Sequence, residues 1–275
     1  MSIKVAILDM YDGHPNQGMK CIKDILKKFR KNHFVDLTYD AFDVRGKSEL
    51  PDTSYDIYIS TGGPGSPTES EGSEWENNYF AFIDQLEAIN NDPSRSDKKH
   101  GFFICHSFQL MCRKYQLGKV VKRRSTSYGI FPIYKTEYWD QEDIFSGSDE
   151  TFYAVDSRDW QVIEADEEQF KKIGAKLLAI EKERNHVNLE RCMMAIRFNE
   201  YFLGTQFHPE ADPIGLRTFL LEEENKQRII NAHGEKKYND MIELLENPVE
   251  LELTRKEVIP TFLQNAIKSM QTQEV

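Results

Sequence analysis

The chain has 275 residues, 39% hydrophobic and 29% charged, which describes an ordinary globular protein rather than a disordered one. Its 35 Lys and Arg against 46 Asp and Glu leave a formal net charge of −11, which opposes nonspecific nucleic-acid binding, because that depends on neutralising phosphates. No apolar stretch approaches the roughly 20 residues needed to span a bilayer. "MSIKVAILDMYDG" enters a strand-like run without the layout of a signal peptide, so a cytoplasmic protein without membrane or nucleic-acid partners is expected.

Residues 3–9, "IKVAILD", form the continuous apolar run of a strand buried on both faces. After the polar loop "MYDGHPNQG", Met19, Ile22, Ile25, Leu26 and Phe29 recur at helical spacing. "FVDLTYDAF" (34–42) and "YDIYIST" (55–61) read as strands, the latter ending in "GGPGSP". Ser73 and Glu76 have capping-box spacing ahead of a helix carrying Trp75, Tyr79, Ile83 and Leu86. "GFFIC" (101–105) is the fourth strand, and a helix opens right after it. This alternation predicts an α/β fold with a mostly parallel central sheet flanked by helices. In such sheets ligands bind beyond the carboxyl ends of the strands, where both "GGPGSP" and Cys105 fall.

From 119 to 207 the pieces are shorter: "YGIFPIYKT", "TFYAVDS", "KLLAIEK", and a hairpin "CMMAIRF-NE-YFLGTQF" turning at Asn199-Glu200. The basic run "KVVKRR" (119–124) reads as a solvated edge, or else as a dock for an anionic substrate or acidic partner. Asp212 and Pro213 begin a helix, and the rest is helical and strongly charged. Within it "TRKE" (254–257) offers another capping box, and Pro260 is expected to kink or restart the helix. The division expected is an α/β domain over 1–222 and a helical C-terminal extension over 223–275.

The four cysteines, Cys21, Cys105, Cys112 and Cys192, show no CxxC spacing, so neither a zinc site nor a disulfide framework is indicated. Cys105 is either core filler or a nucleophile. An ordinary thiol is only a few per cent thiolate at neutral pH, so a nucleophilic cysteine needs an adjacent base. "GTQFHPE" (204–210) supplies one, because His208 follows an apolar strand whose end can reach a neighbouring strand end. Glu210 can take the other imidazole nitrogen, as a triad acid does. Backbone amides for an oxyanion are available at the turn Gly62-Gly63-Pro64-Gly65 and at His106, which starts the helix after Cys105.

Taken together, Cys105 with Gln109, the turn Gly62-Gly63-Pro64, and the segment Gln206 through Glu210 resemble the class I (triad) glutamine amidotransferases. The resemblance covers about residues 3–222, and the chain is similar in it to the glutaminase domain of GMP synthase. It implies a flavodoxin-like fold, with Cys105 attacking the side-chain amide of L-glutamine and His208 protonating the departing ammonia. It also implies that Glu210 orients His208 and that the amides of Gly63 and His106 hold the oxyanion. Gln109 would help bind glutamine, and water would hydrolyse a glutamyl thioester. No cofactor or metal is implied.

The chain departs from the family pattern at three places. Phe103 and Ser107 stand where the elbow usually has glycine. "SRDWQV" (157–162) matches a Ser-His-x-Asp segment of the family, with Arg158 in the histidine position as an expected substrate-binding residue suited to extra carboxylates, and Asp159 as an expected glutamine contact. In the PfpI-like branch the histidine after the cysteine can serve it, but "QFHPE" keeps His208 as the base here. His14, His33, His100, His186 and His233 read as surface or loop residues. The function expected is an ammonia donor to an acceptor on a separate synthase subunit; the alternatives are a free-standing hydrolase of γ-glutamyl compounds and an impaired scaffold kept for binding or regulation.

Overall fold

β1 (Ser2–Asp9) carries Val5, Ala6, Ile7 and Leu8 with no exposed surface, so helices must cover both of its faces. The computed structural model describes residues 2–14, 16–142, 144, 150–184 and 190–273. Among the described residues one nine-stranded sheet organises the fold. Its other strands are β2 (Asp36–Asp43), β3 (Ile57–Ser60), β4 (His100–Ile104), β5 (Lys119–Lys135), β6 (Thr151–Ile163), β7 (Lys176–Glu181), β8 (Met193–Arg197) and β9 (Phe202–Thr205). They lie in the order β2-β1-β3-β4-β9-β8-β7-β5-β6. The run from β2 to β9 is parallel, and every later pairing is antiparallel. The sheet is therefore mixed, its parallel half being the half that holds the strand ends singled out above.

Each face has its own helices. α1 (Gln17–His33) buries Ile22, Ile25, Leu26 and Phe29 against Ile3, Val5 and Ile7. α8 (Val249–Gln273) joins the same face with Ile259, Phe262, Leu263 and Ala266. On the opposite face lie α2 (Glu74–Asn91), α3 (His106–Tyr115) and α4 (Glu167–Ile173), contributing Tyr79, Ile83, Leu86, Phe108, Leu110 and Phe170. α5 (Pro213–Leu221), α6 (Glu223–His233) and α7 (Glu235–Glu246) gather around a separate cluster that includes Leu220, Ile229, Met241 and Ile130 of β5. Among the described residues no helix is long and apolar enough to cross a membrane.

Local signals are followed in most places and overruled in three. Ser73 accepts from the Glu76 amide as a capping box requires, but the Glu76 carboxylate turns instead to Arg113, at 2.9 and 3.0 Å. The hairpin forms at the expected turn, where Asn199 Oδ1 accepts from the amides of Tyr201 and Phe202. The "TRKE" segment starts no helix, because Thr254 lies inside α8 and its hydroxyl donates to the carbonyls of Tyr153 and Glu250. α8 also runs through Pro260 without ending. Proline removes a single helical hydrogen bond, and the buried neighbours Val258, Ile259, Phe262 and Leu263 hold the helix on the sheet. "KVVKRR" is the first part of β5, where Lys119 pairs outward with Glu164 but Arg123 turns inward to Glu181 at 3.1 Å.

Candidate active site

Cys105 occupies the turn between β4 and α3 at φ 48° and ψ −97°, a backbone conformation that costs an L-residue energy and recurs at functional turns. Neighbouring strands hold it there. Its amide donates to the Thr205 carbonyl on β9 at 2.7 Å, and its own carbonyl accepts the first helical bond from Gln109. The turn faces the end of β9, where His208 follows. The His208 amide donates to the Val155 carbonyl of β6 at 2.9 Å, which brings the imidazole back over the strand ends.

The imidazole of His208 joins the two remaining members of the expected triad. Its Nδ1 lies 2.8 Å from Glu210 Oε1, and the ring is also hydrogen-bonded to Cys105. Burial opposes the charged imidazolium, but the Glu210 carboxylate, followed by Cys105, outweighs it and raises the His208 pKa well above its ordinary value. Glu210 is 2% exposed, so its charge is little screened by solvent. The imidazole is thus held by one nitrogen and directed at a thiol with the other, the arrangement that activates a nucleophile.

The glycine turn borders the same place. A Cβ on Gly62 would sit 3.0 Å from His208 Cε1 and 3.4 Å from Cys105 Cβ, and one on Gly63 would collide with the Met10 carbonyl at 2.2 Å. Only glycine lets this backbone pass so close. The amide of His106 lies at the first position of α3, where helix geometry leaves N–H groups free to bind an anion. The His106 side chain is 1% exposed, and burial, helped by Arg45 and Arg113, pushes its pKa down to about 3. It is a neutral, enclosed ring.

The two departures at the elbow are absorbed locally. Phe103 is buried and packs edge-on against Phe198 and Phe202, at centroid distances of 6.1 and 5.5 Å. Room for its ring comes from Gly101, where a Cβ would stand 2.9 Å from it. Ser107 is also buried, and its hydroxyl donates to the Thr61 carbonyl at 2.5 Å, with Ser60 Oγ 2.8 Å away. It ties the start of α3 to the residue just before the glycine turn.

Around Cys105 opens a cavity of about 860 Å³ whose lining includes Tyr11, Gly63, Gln109, Asp159, His208 and Glu210. Gln109 is almost fully buried, its Nε2 donating to the Trp160 carbonyl at 3.2 Å and to Gln206 Oε1 at 3.0 Å. Asp159 is exposed at the rim and accepts from the Thr126 hydroxyl. Arg158 also borders the cavity, but its guanidinium is turned into the protein. It donates to Asp156 at 2.8 and 3.0 Å, to Glu181 at 3.1 Å, and to the Trp160 carbonyl at 3.2 Å. The arginine that stood out in the sequence is the centre of a buried charge cluster.

Three contributors carry no side-chain signature: the carbonyls of Val155, Ser157 and Trp160, all on β6. The thiol of Cys105 donates to the Ser157 carbonyl at 3.8 Å. Gln206 is visible within "QFHPE", but the motif does not tell its task; its Nε2 donates to Cys105 Sγ at 3.6 Å. Of the other histidines, His100 is 5% exposed, not a surface residue. Burial, with Arg197 and Lys99 nearby, pushes its pKa down to about 4. His186 lies outside the described residues.

A family model described as Glutamine amidotransferase class-I matches residues 15–226. Several solved structures share the fold. A glutamine amidotransferase from Thermotoga maritima is 13% identical with a TM-score of 0.67, over 97% of this chain and 99% of that one. The glutaminase domain of Trypanosoma brucei CTPS with bound acivicin is 14% identical with a TM-score of 0.59, over 97% of this chain and 94% of that one. A proposed GMP synthase subunit from Thermoplasma acidophilum is 14% identical with a TM-score of 0.52, over 92% and 98%. No curated protein matches the sequence.

Proposed function

Because the chain belongs to the class-I glutamine amidotransferase family, we propose that it hydrolyses the side-chain amide of L-glutamine through Cys105, His208 and Glu210. The observation that carries this reading is the contact of His208 with Glu210 on one side and Cys105 on the other, at the floor of a cavity and at adjacent strand ends. Cys105 Sγ attacks the amide carbon while His208 holds the thiol proton. The N–H groups of Gly63 and His106 receive the oxyanion of the tetrahedral intermediate. His208 then gives its proton to the departing nitrogen, and ammonia leaves a glutamyl thioester. Water, deprotonated by His208, attacks the thioester carbon and releases glutamate with a free thiol.

Asp159, exposed at the rim, is the acidic group proposed to meet the α-ammonium of glutamine, with Gln109 lining the inner wall. Ammonia passes to an acceptor on a separate synthase chain. The free thiol this chemistry needs, and the four unpaired cysteines, support a reducing compartment, and a cytoplasmic one is the reading proposed. A second reading is favoured by the size of the cavity: 860 Å³ is in the range of pockets that enclose drug-sized ligands, far larger than glutamine. In that reading the same triad hydrolyses a larger γ-glutamyl compound without a partner.

The test is glutamate release from the purified protein given L-glutamine, beside Cys105→Ala. Release at a rate lowered at least about 10⁴-fold by the substitution is expected. Turnover of γ-glutamyl peptides in preference to glutamine would select the second reading. If neither is turned over and a glutamine-like electrophile fails to label Cys105, the site is not a hydrolase and the scaffold alternative stands.

A further inference from the structure

Among the described residues two hydrogen bonds involve Cys105 Sγ besides that of His208, and they act in opposite directions. The Ser157 carbonyl can only accept, so it favours the protonated thiol. The Gln206 amide nitrogen can only donate, so it favours the thiolate. Which end of the Gln206 amide meets the sulfur is decided two residues away. The Trp160 carbonyl, an acceptor, requires the NH₂ group of Gln109. That NH₂ group in turn requires the carbonyl oxygen of Gln206. The remaining end of Gln206, its own NH₂, is left facing Cys105.

The chain is sealed. Gln206 has no exposed surface and Gln109 is 3% exposed, so water does not compete for these bonds. The backbone of Gln206 is fixed as well, its amide donating to the Met194 carbonyl at 2.8 Å. We propose that Gln206 is a positioning residue for the nucleophile: its amide, oriented through Gln109 by the Trp160 carbonyl, donates the hydrogen bond that offsets Ser157 and favours the thiolate. The proposal rests on the reading of Cys105 as the nucleophile, and it assigns Gln109 a task besides any contact with substrate.

The experiment is the pH dependence of Cys105 alkylation by iodoacetamide, followed by peptide mapping so that Cys21, Cys112 and Cys192 are counted separately. Hydrogen bonds to charged groups contribute enough that Gln206→Met should raise the alkylation midpoint by about one pH unit, slowing labelling about tenfold below it. Gln206→Glu, of the same shape but carrying a like charge, should raise the midpoint further. Gln109→Met, which frees the Gln206 amide to rotate, should raise it less. In turnover, Gln206→Met should lower kcat and leave KM for glutamine nearly unchanged, with a melting temperature that reports any general loosening.

An unmoved midpoint in a folded Gln206→Met protein overturns the proposal. If that variant does not fold, Gln206→Glu carries the test, and an unmoved midpoint there overturns it equally. A native protein whose Cys105 resists alkylation at every pH removes the nucleophile reading, and this inference with it. A reactive native Cys105 with unmoved variants removes this inference alone.

Discussion

From the parallel half of the sheet the site receives side chains, Cys105 after β4 and His208 after β9. From the antiparallel half it receives mostly main chain, the carbonyls of Val155, Ser157 and Trp160 along β6. The difference follows from how strands meet the site. Parallel strands all end on one edge, so a turn after each one lifts a side chain over that edge. β6, at the edge of the sheet and paired with β5 alone among the strands, passes alongside instead and offers main-chain carbonyls to the site. The same contrast extends to charge. Beside the parallel strand ends the charged pair is His208 with Glu210, facing the cavity, whereas in the antiparallel half Arg158, Asp156, Glu181 and Arg123 neutralise one another out of solvent.

This comparison separates activity from stability and can be broken at either end. The largest effect is expected from Glu210→Gln, which should lower kcat about 10⁴-fold while the folded structure persists, as loss of a triad acid does elsewhere. Its pH signature is separate. The raised pKa of His208 means that its ion pair stabilises the fold fully below the unfolded-chain histidine value of about 6.5. That contribution is lost as pH rises through the raised value, and denaturation midpoints against pH should lose this slope in Glu210→Gln. A variant with ordinary turnover would remove Glu210 from the triad.

In the antiparallel half the expected ranking reverses. Arg158→Met leaves Asp156 and Glu181 buried without their shared partner, and breaking such a pair costs about 3–5 kcal/mol, measurable by urea denaturation. Some activity per folded molecule should remain, because the guanidinium does not face the cavity. A large loss of affinity for glutamine at unchanged stability would instead return Arg158 to the substrate side. Smallest is Thr254→Val, which removes the hydroxyl bond from α8 to the Tyr153 carbonyl and should cost about 1 kcal/mol in the same assay. Equal losses from the two would show that α8 is joined to β6 more tightly than its packing indicates.

How much was legible can be read from the elbow. Cys105, His208, Glu210 and the glycine turn stand out as candidates by their side chains, or the lack of one, and the fold brings them together at strand ends. Phe103 stands in a glycine position of the elbow, and the sequence does not say that Gly101 leaves room beside its ring. Arg158 looked available because its partners Asp156 and Glu181 lie on two different strands, and only sheet pairing brings Glu181 to it. Pro260 and "TRKE" read as boundaries by local rules, which the burial of α8 against the sheet overrides.

By itself the sequence determined the alternation of strands and helices, the family likeness, and the residue types that could serve as nucleophile, base and acid. Those follow from apolar periodicity and from side-chain chemistry, both properties of short segments. Only the tertiary structure decided which carbonyls face the thiol, which end of the Gln206 amide meets it, and that Arg158 is spent on internal partners. Every backbone carries the same carbonyls and every glutamine the same two ends. Their roles are set by what strand pairing and burial place within hydrogen-bond reach.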